Sequence, residues 1–444
     1  MTIVEGIGEK YLWVDSLCIV HDDEDLLQDA IRRMGDYYQN SILTIAVVST
    51  LAACEQIPGI APESRKILPY VEVCGMQIFA FPVPLHLELK GSKYESRAWT
   101  YQERLLSTRT LYITNNMAYY KCLQHGRSEL DGFTVLAGHL NPLQISTSIP
   151  EIQHDGLDTP QKPSQWEIYL ELVRQYSQKE LSYPSDELAA FEGIMRRLSS
   201  TWNTKFLAGL PISALLTTLH WVPSCKLDVA HETSERRAGF PSWSWASRAG
   251  PVEWLDAVVL PEWWEWEEKG ILSPVMSNPV ATFNFTAQIH LRSQVSSIKG
   301  LSAELTTTIV YAAQFLSPGR GNLMPLIKIF DTQGRWCGRI CHSSPGVISN
   351  QNTDELGIIM LSTCAARKIL TFENAETMEY RGWEYFFDHG VFPTTGEDGK
   401  PARLCNLLLV EYKEDGMAER RALCQIHSDI WEIMERKEQD VILI

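Results

Sequence analysis

Along the first third of the chain, short continuous apolar runs alternate with stretches in which apolar residues recur every three or four positions. Tyr11-Leu-Trp-Val-Asp15 is a short apolar run closed by an acid, the pattern of a buried parallel strand. His21-Asp-Asp-Glu-Asp25 then supplies capping and N-terminal acids for a helix. Leu27, Ala30, Ile31, Met34 and Tyr38 fall on one face of that helix. Asn40-Ser41 ends it, and Ile42 to Val48 is a near-continuous, β-branched run that predicts a second buried strand. Tyr70 to Phe81 predicts a hairpin turning at Gly75, Trp99 to Leu106 a helix, and Thr110 to Thr114 a further strand. Residues 1–135 therefore read as an α/β module.

The texture then changes twice. Residues 136–165 read as a linker, with four prolines between Asn141 and Gln165. Residues 166–245 read as helical. Trp166 to Leu181 is strongly helix-forming, and a second helix starting at Pro184 puts Leu188, Phe191, Ile194, Met195 and Leu198 on one face. Residues 246–444 read as β-rich. Ala281 to Leu291 alternates, Ile327 to Phe330 turns through Asp331–Gly334 into Trp336 to Ile340, and Leu407 to Tyr412 turns at Asp415-Gly416. In Pro241-Ser-Trp-Ser-Trp-Ala246 the alternation predicts a strand with Trp243 and Trp245 on its core side.

Composition narrows the function classes. The chain is 45% hydrophobic and 21% charged, enough to build a core. A net charge of −16 repels phosphate backbones and anionic lipid, which argues against nucleic-acid and membrane-surface binding. The N-terminus has no basic and apolar leader, and Ile42 to Cys54 falls short of the roughly 20 apolar residues that span a bilayer. Ten cysteines are scattered along the chain, and most of them, Cys18 and Cys405 among them, read as buried free thiols of a cytoplasmic protein.

No phosphate-loop, dinucleotide, zinc-protease or nucleophile-elbow motif occurs, and no cofactor is implied. Cys337-x-x-x-Cys341-His342 matches no zinc-module spacing, so no metal is expected. His21 reads as a solvated helix start, and Trp254 to Trp266 as packing or a partner surface.

Three stretches in order resemble the fungal heterokaryon-incompatibility (HET) domain. They are Tyr11-Leu-Trp-Val-Asp-Ser-Leu-Cys-Ile19 with Met34-Gly-Asp-Tyr-Tyr-Gln-Asn40, then Leu43-Thr-Ile-Ala-Val-Val-Ser49, then Ser96-Arg-Ala-Trp-Thr-Tyr-Gln-Glu-Arg-Leu-Leu-Ser107. The resemblance covers about residues 1–125. It implies a part in non-self recognition and programmed cell death of fused fungal cells, with self-association or a signalling protein as partner. HET domains usually open with an aromatic-rich strand of the Ser-Tyr-Val-Trp-Gly kind and a helix. Met1 to Lys10 leaves room only for the end of that helix, so an N-terminally truncated reading or a decayed paralogue is expected.

Through the HET family the module also resembles a TIR domain, a flavodoxin-like parallel sheet with its first strand missing. Enzymatic TIR domains cleave NAD at its glycosidic bond with one glutamate, carried in Trp-Cys-x-x-Glu after the third strand. Trp99-Thr-Tyr-Gln-Glu103 has that separation, which puts both side chains on one helical face. The resemblance thus implies Glu103 as the catalytic carboxylate and Trp99 as a pocket wall. Asp15 and Ser16 would bind ligand at a strand end, and NAD would be the substrate. The residues alone have another reading, Glu103 as the partner of Arg104, Trp99 as a core aromatic and Asp15 as a turn cap. A HET module without chemistry is the rival reading.

Overall fold

The computed structural model describes residues 1–49, 55–60, 64–65, 70–79, 83–123, 125–129, 165–223, 236–254, 288–312, 322–341, 355–366, 369–372, 380–396 and 399–444. The chain forms two compact units. One comprises residues 1–165 and 179–203, the other residues 166–178 and 204–444. The expected linker at 136–165 lies outside the described residues except for Gln165, as does most of Ala281 to Leu291.

The first unit is mixed α/β. Helices α1 (Thr2–Gly6), α2 (Asp15–Cys18) and α3 (Glu24–Asn40) precede strand β1 (Thr44–Val47). Asp23 caps α3 by accepting the Leu26 N–H at 3.1 Å. A hairpin, β2 (Tyr70–Val73) and β3 (Met76–Phe79), turns through Cys74 and Gly75, both at positive φ. Helices α4 (Leu85–Leu89), α5 (Lys93–Ser96) and α6 (Ala98–Leu106) lead to β4 (Arg109–Ile113), β5 (Ala118–Cys122) and β6 (Gly126–Ser128).

The sheet order is β1-β4-β5-β6. β1 and β4 run parallel, from Thr44 opposite Thr110 to Val47 opposite Ile113, and the other pairs are antiparallel. Ala46, Val48, Leu85, Leu89, Tyr112, Met117 and Tyr119 form the core against it. Beyond α7 (Gln165–Tyr176), which lies almost wholly in the second unit, the chain returns with α8 (Glu192–Trp202). The predicted face is buried throughout, with Leu188, Phe191, Ile194, Met195 and Leu198 no more than 2% exposed.

Two expectations for this unit are corrected. Tyr11 to Val14 is not a strand: it pairs with no neighbour, Tyr11 is 92% exposed, and the chain turns into α2 at Asp15. An extended segment without an adjacent strand has no ladder to join. For the same reason Cys18 is exposed rather than buried. His21 is exposed, as a solvated helix start requires.

The second unit is β-rich. Two short pairs come first, β7 (Phe206–Leu207) with β8 (Leu210–Pro211), and β9 (Trp221–Pro223) with β10 (Val252–Trp254); α9 (Leu215–Thr218) lies between them in sequence. A ten-stranded sheet follows, made of β11 (Ile289–Ser297), β12 (Ser302–Ala312), β13 (Asn322–Phe330), β14 (Trp336–Cys341), β15 (Leu356–Ala365), β16 (Ile369–Phe372), β17 (Tyr380–Glu384), β18 (Arg403–Tyr412), β19 (Ala418–His427) and β20 (Arg436–Leu443). Helix α10 (Ser428–Ile433) joins the last two. The order is β17-β16-β12-β13-β14-β19-β18-β15-β11-β20, and β20 also meets β19 where Leu443 faces Ala418. Five strands thereby close on themselves, which shields both edges of that half.

Trp243 and Trp245 are fully buried, as expected, but not in a strand. They sit in a tight turn ending in a single 3₁₀ turn at Trp245–Ser247, where Ser244 caps by accepting the Ala246 N–H. Trp245 donates its indole N–H to the Tyr169 hydroxyl at 2.9 Å, and Trp221 donates to the Trp243 carbonyl at 2.8 Å. A hydrogen-bonded turn, not strand alternation, places the pair, and of the two side chains only Trp245 donates its indole N–H. Of the expected tryptophan patch, Trp254 is buried on β10 and the rest lies outside the described residues.

Candidate functional site

Helix α6 begins where Ser92 caps α5 and Arg97 breaks the helical path, so Ala98 to Leu106 forms a separate two-turn helix. Its inner face is Ala98, Tyr101, Gln102, Leu105 and Leu106, all buried. Trp99 and Glu103 lie one turn apart beside that face and are half-buried. Arg104 turns away from Glu103 to Glu95, 3.5 Å distant, and Glu95 also receives Lys179 at 2.6 Å. Arg104 and Lys179 both lie 5.7 Å from the Tyr101 ring centroid. The cation next to Glu103 in sequence is therefore committed elsewhere.

Glu103 is instead a partner of Tyr38, near the end of α3, through a side-chain hydrogen bond in which the phenol donates. Asp15 and Arg97 complete its electrostatic surroundings. Burial lifts the Glu103 carboxyl to about 7, and the Asp15 charge adds to the rise; the Tyr38 hydrogen bond and the Arg97 cation pull the other way. Tyr38 itself is pushed upward by burial, then by the charges of Glu103 and Asp15. Glu103 thus changes charge near neutrality, which suits a proton-accepting or cation-stabilising group.

Asp15 and Ser16 are exposed at the start of α2, where the Asp15 carboxylate accepts the Ser16 N–H at 2.7 Å. The structure gathers Glu103, Asp15, Tyr38 and Arg97 into one cluster, with Ser16 adjoining through Asp15. Helical periodicity puts Tyr38 on the apolar face of α3, so the sequence pattern marks it as a core residue and not as a site residue. The Met34-Gly-Asp-Tyr-Tyr stretch was the available signal. Trp13 supplies an aromatic wall, its ring 4.9 Å from that of Tyr37 and 5.8 Å from that of Tyr38.

The glycines place this cluster. An added Cβ on Gly35 would lie 2.9 Å from Gly193 Cα and 3.0 Å from a Leu106 methyl. Backbone contact between α3 and α8 over α6 is possible only without side chains there. The Gln102 amide oxygen accepts the Gly193 N–H at 3.3 Å in the same contact.

Elsewhere the buried polar groups serve packing. In the second unit His220 Nε2 lies 2.8 Å from Ser362 Oγ, which accepts from Asn406; Asn406 accepts from Gln425, and Gln425 from Arg339. Burial drops His220 to about 4, so it stays neutral near pH 7. Arg420 is 5% exposed, donates to the Leu219 and Trp221 carbonyls and stacks 3.8 Å over the Trp221 ring. Cys337 and Cys341 are buried on β14, and His342 lies outside the described residues. Among the described residues no group of three or more His, Cys, Asp or Glu could hold a metal ion, and no helix is long and apolar enough to cross a membrane.

Residues 1–103 match the family model described as "Heterokaryon incompatibility protein (HET)". The chain carries a HET domain. That match contains the whole cluster, from Asp15 and Tyr38 to Arg97 and Glu103. No curated protein and no solved structure matches the chain. The HET domain suggests a function related to heterokaryon incompatibility.

Proposed function

We propose that this protein acts in non-self recognition and programmed cell death of fused fungal cells, and that its HET domain does so as a TIR-like module that cleaves NAD. The observation that carries the reading is the Glu103 cluster: a carboxyl lifted to about 7, hydrogen-bonded by Tyr38 and facing Asp15 and Arg97. The Trp99–Glu103 spacing on a helix leading into the parallel β1–β4 pair supports the TIR-like part of it.

Heterolysis of the bond between C1′ of the ribose and the nicotinamide nitrogen sends the bonding electron pair to the ring nitrogen, which leaves neutral. The ribosyl group is left as an oxocarbenium ion. Ionised Glu103 stabilises that cation and then takes the proton of the attacking water, giving ADP-ribose, nicotinamide and a released proton. Trp13, beside Tyr37 and Tyr38, offers a flat surface for a ring of the substrate. Glu103→Gln keeps the size and removes the charge. It should abolish nicotinamide release by the purified chain and cell killing on expression, with the melting temperature unchanged or higher at pH 7.5. Turnover equal to wild type in this variant would remove the enzymatic reading.

A second reading, self-association or docking of a signalling protein without chemistry, is favoured by a specific observation. Tyr11 is 92% and Leu17 82% exposed, with Leu12, Val20 and Leu26 exposed near them in sequence. In that case wild type and Glu103→Gln kill alike, while Leu17→Asp abolishes both killing and self-association.

A further inference from the structure

Strand β1 is an edge of the first unit's sheet: β4 pairs with one side of it, and no described residue pairs with the other. The Val48 N–H bonds to the Ile113 carbonyl on the β4 side. Strand alternation then turns the N–H and C=O groups of Ile45 and Val47 to the open side. Residues 42–49 include no charge and no proline, the features that normally blunt a native edge. The opposite edge of the same sheet is guarded. β6 carries Arg127, and the Glu129 carboxylate just after it accepts the Ala118 N–H and pairs with Arg65.

The same unit holds a strand-like segment with no ladder. Tyr11, Leu12 and Trp13 make no backbone hydrogen bond with any described residue, Val14 has extended backbone angles, and Tyr11 and Leu12 are exposed. The chain thus carries both an open edge and a segment that would fill one. Flanking charges choose the direction. Exposed Arg109 lies at the Ile42 end of β1, its guanidinium 3.5 Å from the Ile42 carbonyl. Lys10 precedes the segment and Asp15 follows it. Antiparallel pairing, with Tyr11 opposite Val47 and Trp13 opposite Ile45, carries Asp15 to the Arg109 end; parallel pairing would carry Lys10 there instead. The antiparallel register also sets aromatic side chains against β-branched ones. We propose that two copies of this chain associate by exchanging residues 11–14, each segment adding as an antiparallel strand to β1 of the other copy, with Asp15 paired to Arg109 across the join. Each copy gives and receives, so the exchange closes about a two-fold axis. This rests on the reading of the HET domain as a self-associating module and needs no chemistry at Glu103.

The test is sedimentation of the full chain over a concentration series, where wild type should show a monomer–dimer equilibrium. Tyr11→Pro removes a ladder donor from an exposed site that no described neighbour bonds, so its circular dichroism should match wild type. The dimer dissociation constant should rise about thirtyfold, one hydrogen bond being lost at each of two joins. Tyr11→Ala, which keeps the N–H, should weaken the dimer less. Arg109→Asp and Asp15→Arg should each weaken it about tenfold, and the two combined in one chain should recover most of that loss. A wild type that stays monomeric overturns the proposal and the self-association reading together. A dimer that Leu17→Asp abolishes, but that Tyr11→Pro and the charge reversals leave intact, overturns the strand exchange and leaves self-association standing.

Discussion

Gly35 and Gly193 meet without side chains, and a methyl on either would sit 2.9–3.0 Å from the Cα of the other. Their contact sets the depth at which α3 lies against α8, and Tyr38, one turn on from Gly35, inherits that placement beside Glu103.

Gly35→Ala should therefore destabilise the first unit by about 1–3 kcal/mol, the usual cost of overpacking, despite the better helix propensity of alanine. Gly193→Ala should cost at least as much, since its Cβ would also lie 2.7 Å from the Gln102 amide oxygen. Urea unfolding followed by hydrogen exchange of the α6 amides measures both. A variant as stable as wild type would mean that the helices can separate freely.

Glu103 predicts a pH dependence of stability. Its folded value of about 7 lies above the ordinary 4.5, so the folded state holds a proton that the unfolded state has lost. The stabilisation is complete below about 4.5 and declines as pH rises through about 7. The total is about 3 kcal/mol, and the slope is about 1.4 kcal/mol per pH unit. Asp15 deepens the decline, while Arg97 and the Tyr38 hydroxyl oppose it. Glu103→Gln should flatten this part of the curve. Tyr38→Phe should move the Glu103 midpoint higher, because the bond favouring the charged form is gone. Carboxyl titration by carbon NMR reads the shift, and an unmoved midpoint would show that the phenol does not set it.

Trp243 and Trp245 should each cost about 3–5 kcal/mol when replaced by alanine, being fully buried in the second unit. Trp245→Phe should cost less and isolate the hydrogen bond to Tyr169. Wild-type melting in either alanine variant would contradict their place in the core.

Periodicity alone determined much of this protein. The helical face from Leu188 to Leu198, helix α3, the hairpin at Gly75 and the β-rich second half were all legible, because burial of an apolar stripe or of alternate residues is a local property of the sequence. The Trp99–Glu103 spacing was legible for the same reason, as both residues belong to one helix. Tertiary structure alone decided the rest. Tyr11 to Val14 carries a strand-like sequence but forms no strand, since a ladder needs a neighbour that no local pattern can supply. Trp243 and Trp245 reach the core through a hydrogen-bonded turn rather than a pleat. Arg104 adjoins Glu103 in sequence but pairs with Glu95, whereas Tyr38, far away in sequence, shares the carboxylate. Burial and long-range approach set the charge state of Glu103, and both depend on how α3 packs over α6 and against α8, a close approach that Gly35 on α3 and Gly193 on α8 allow.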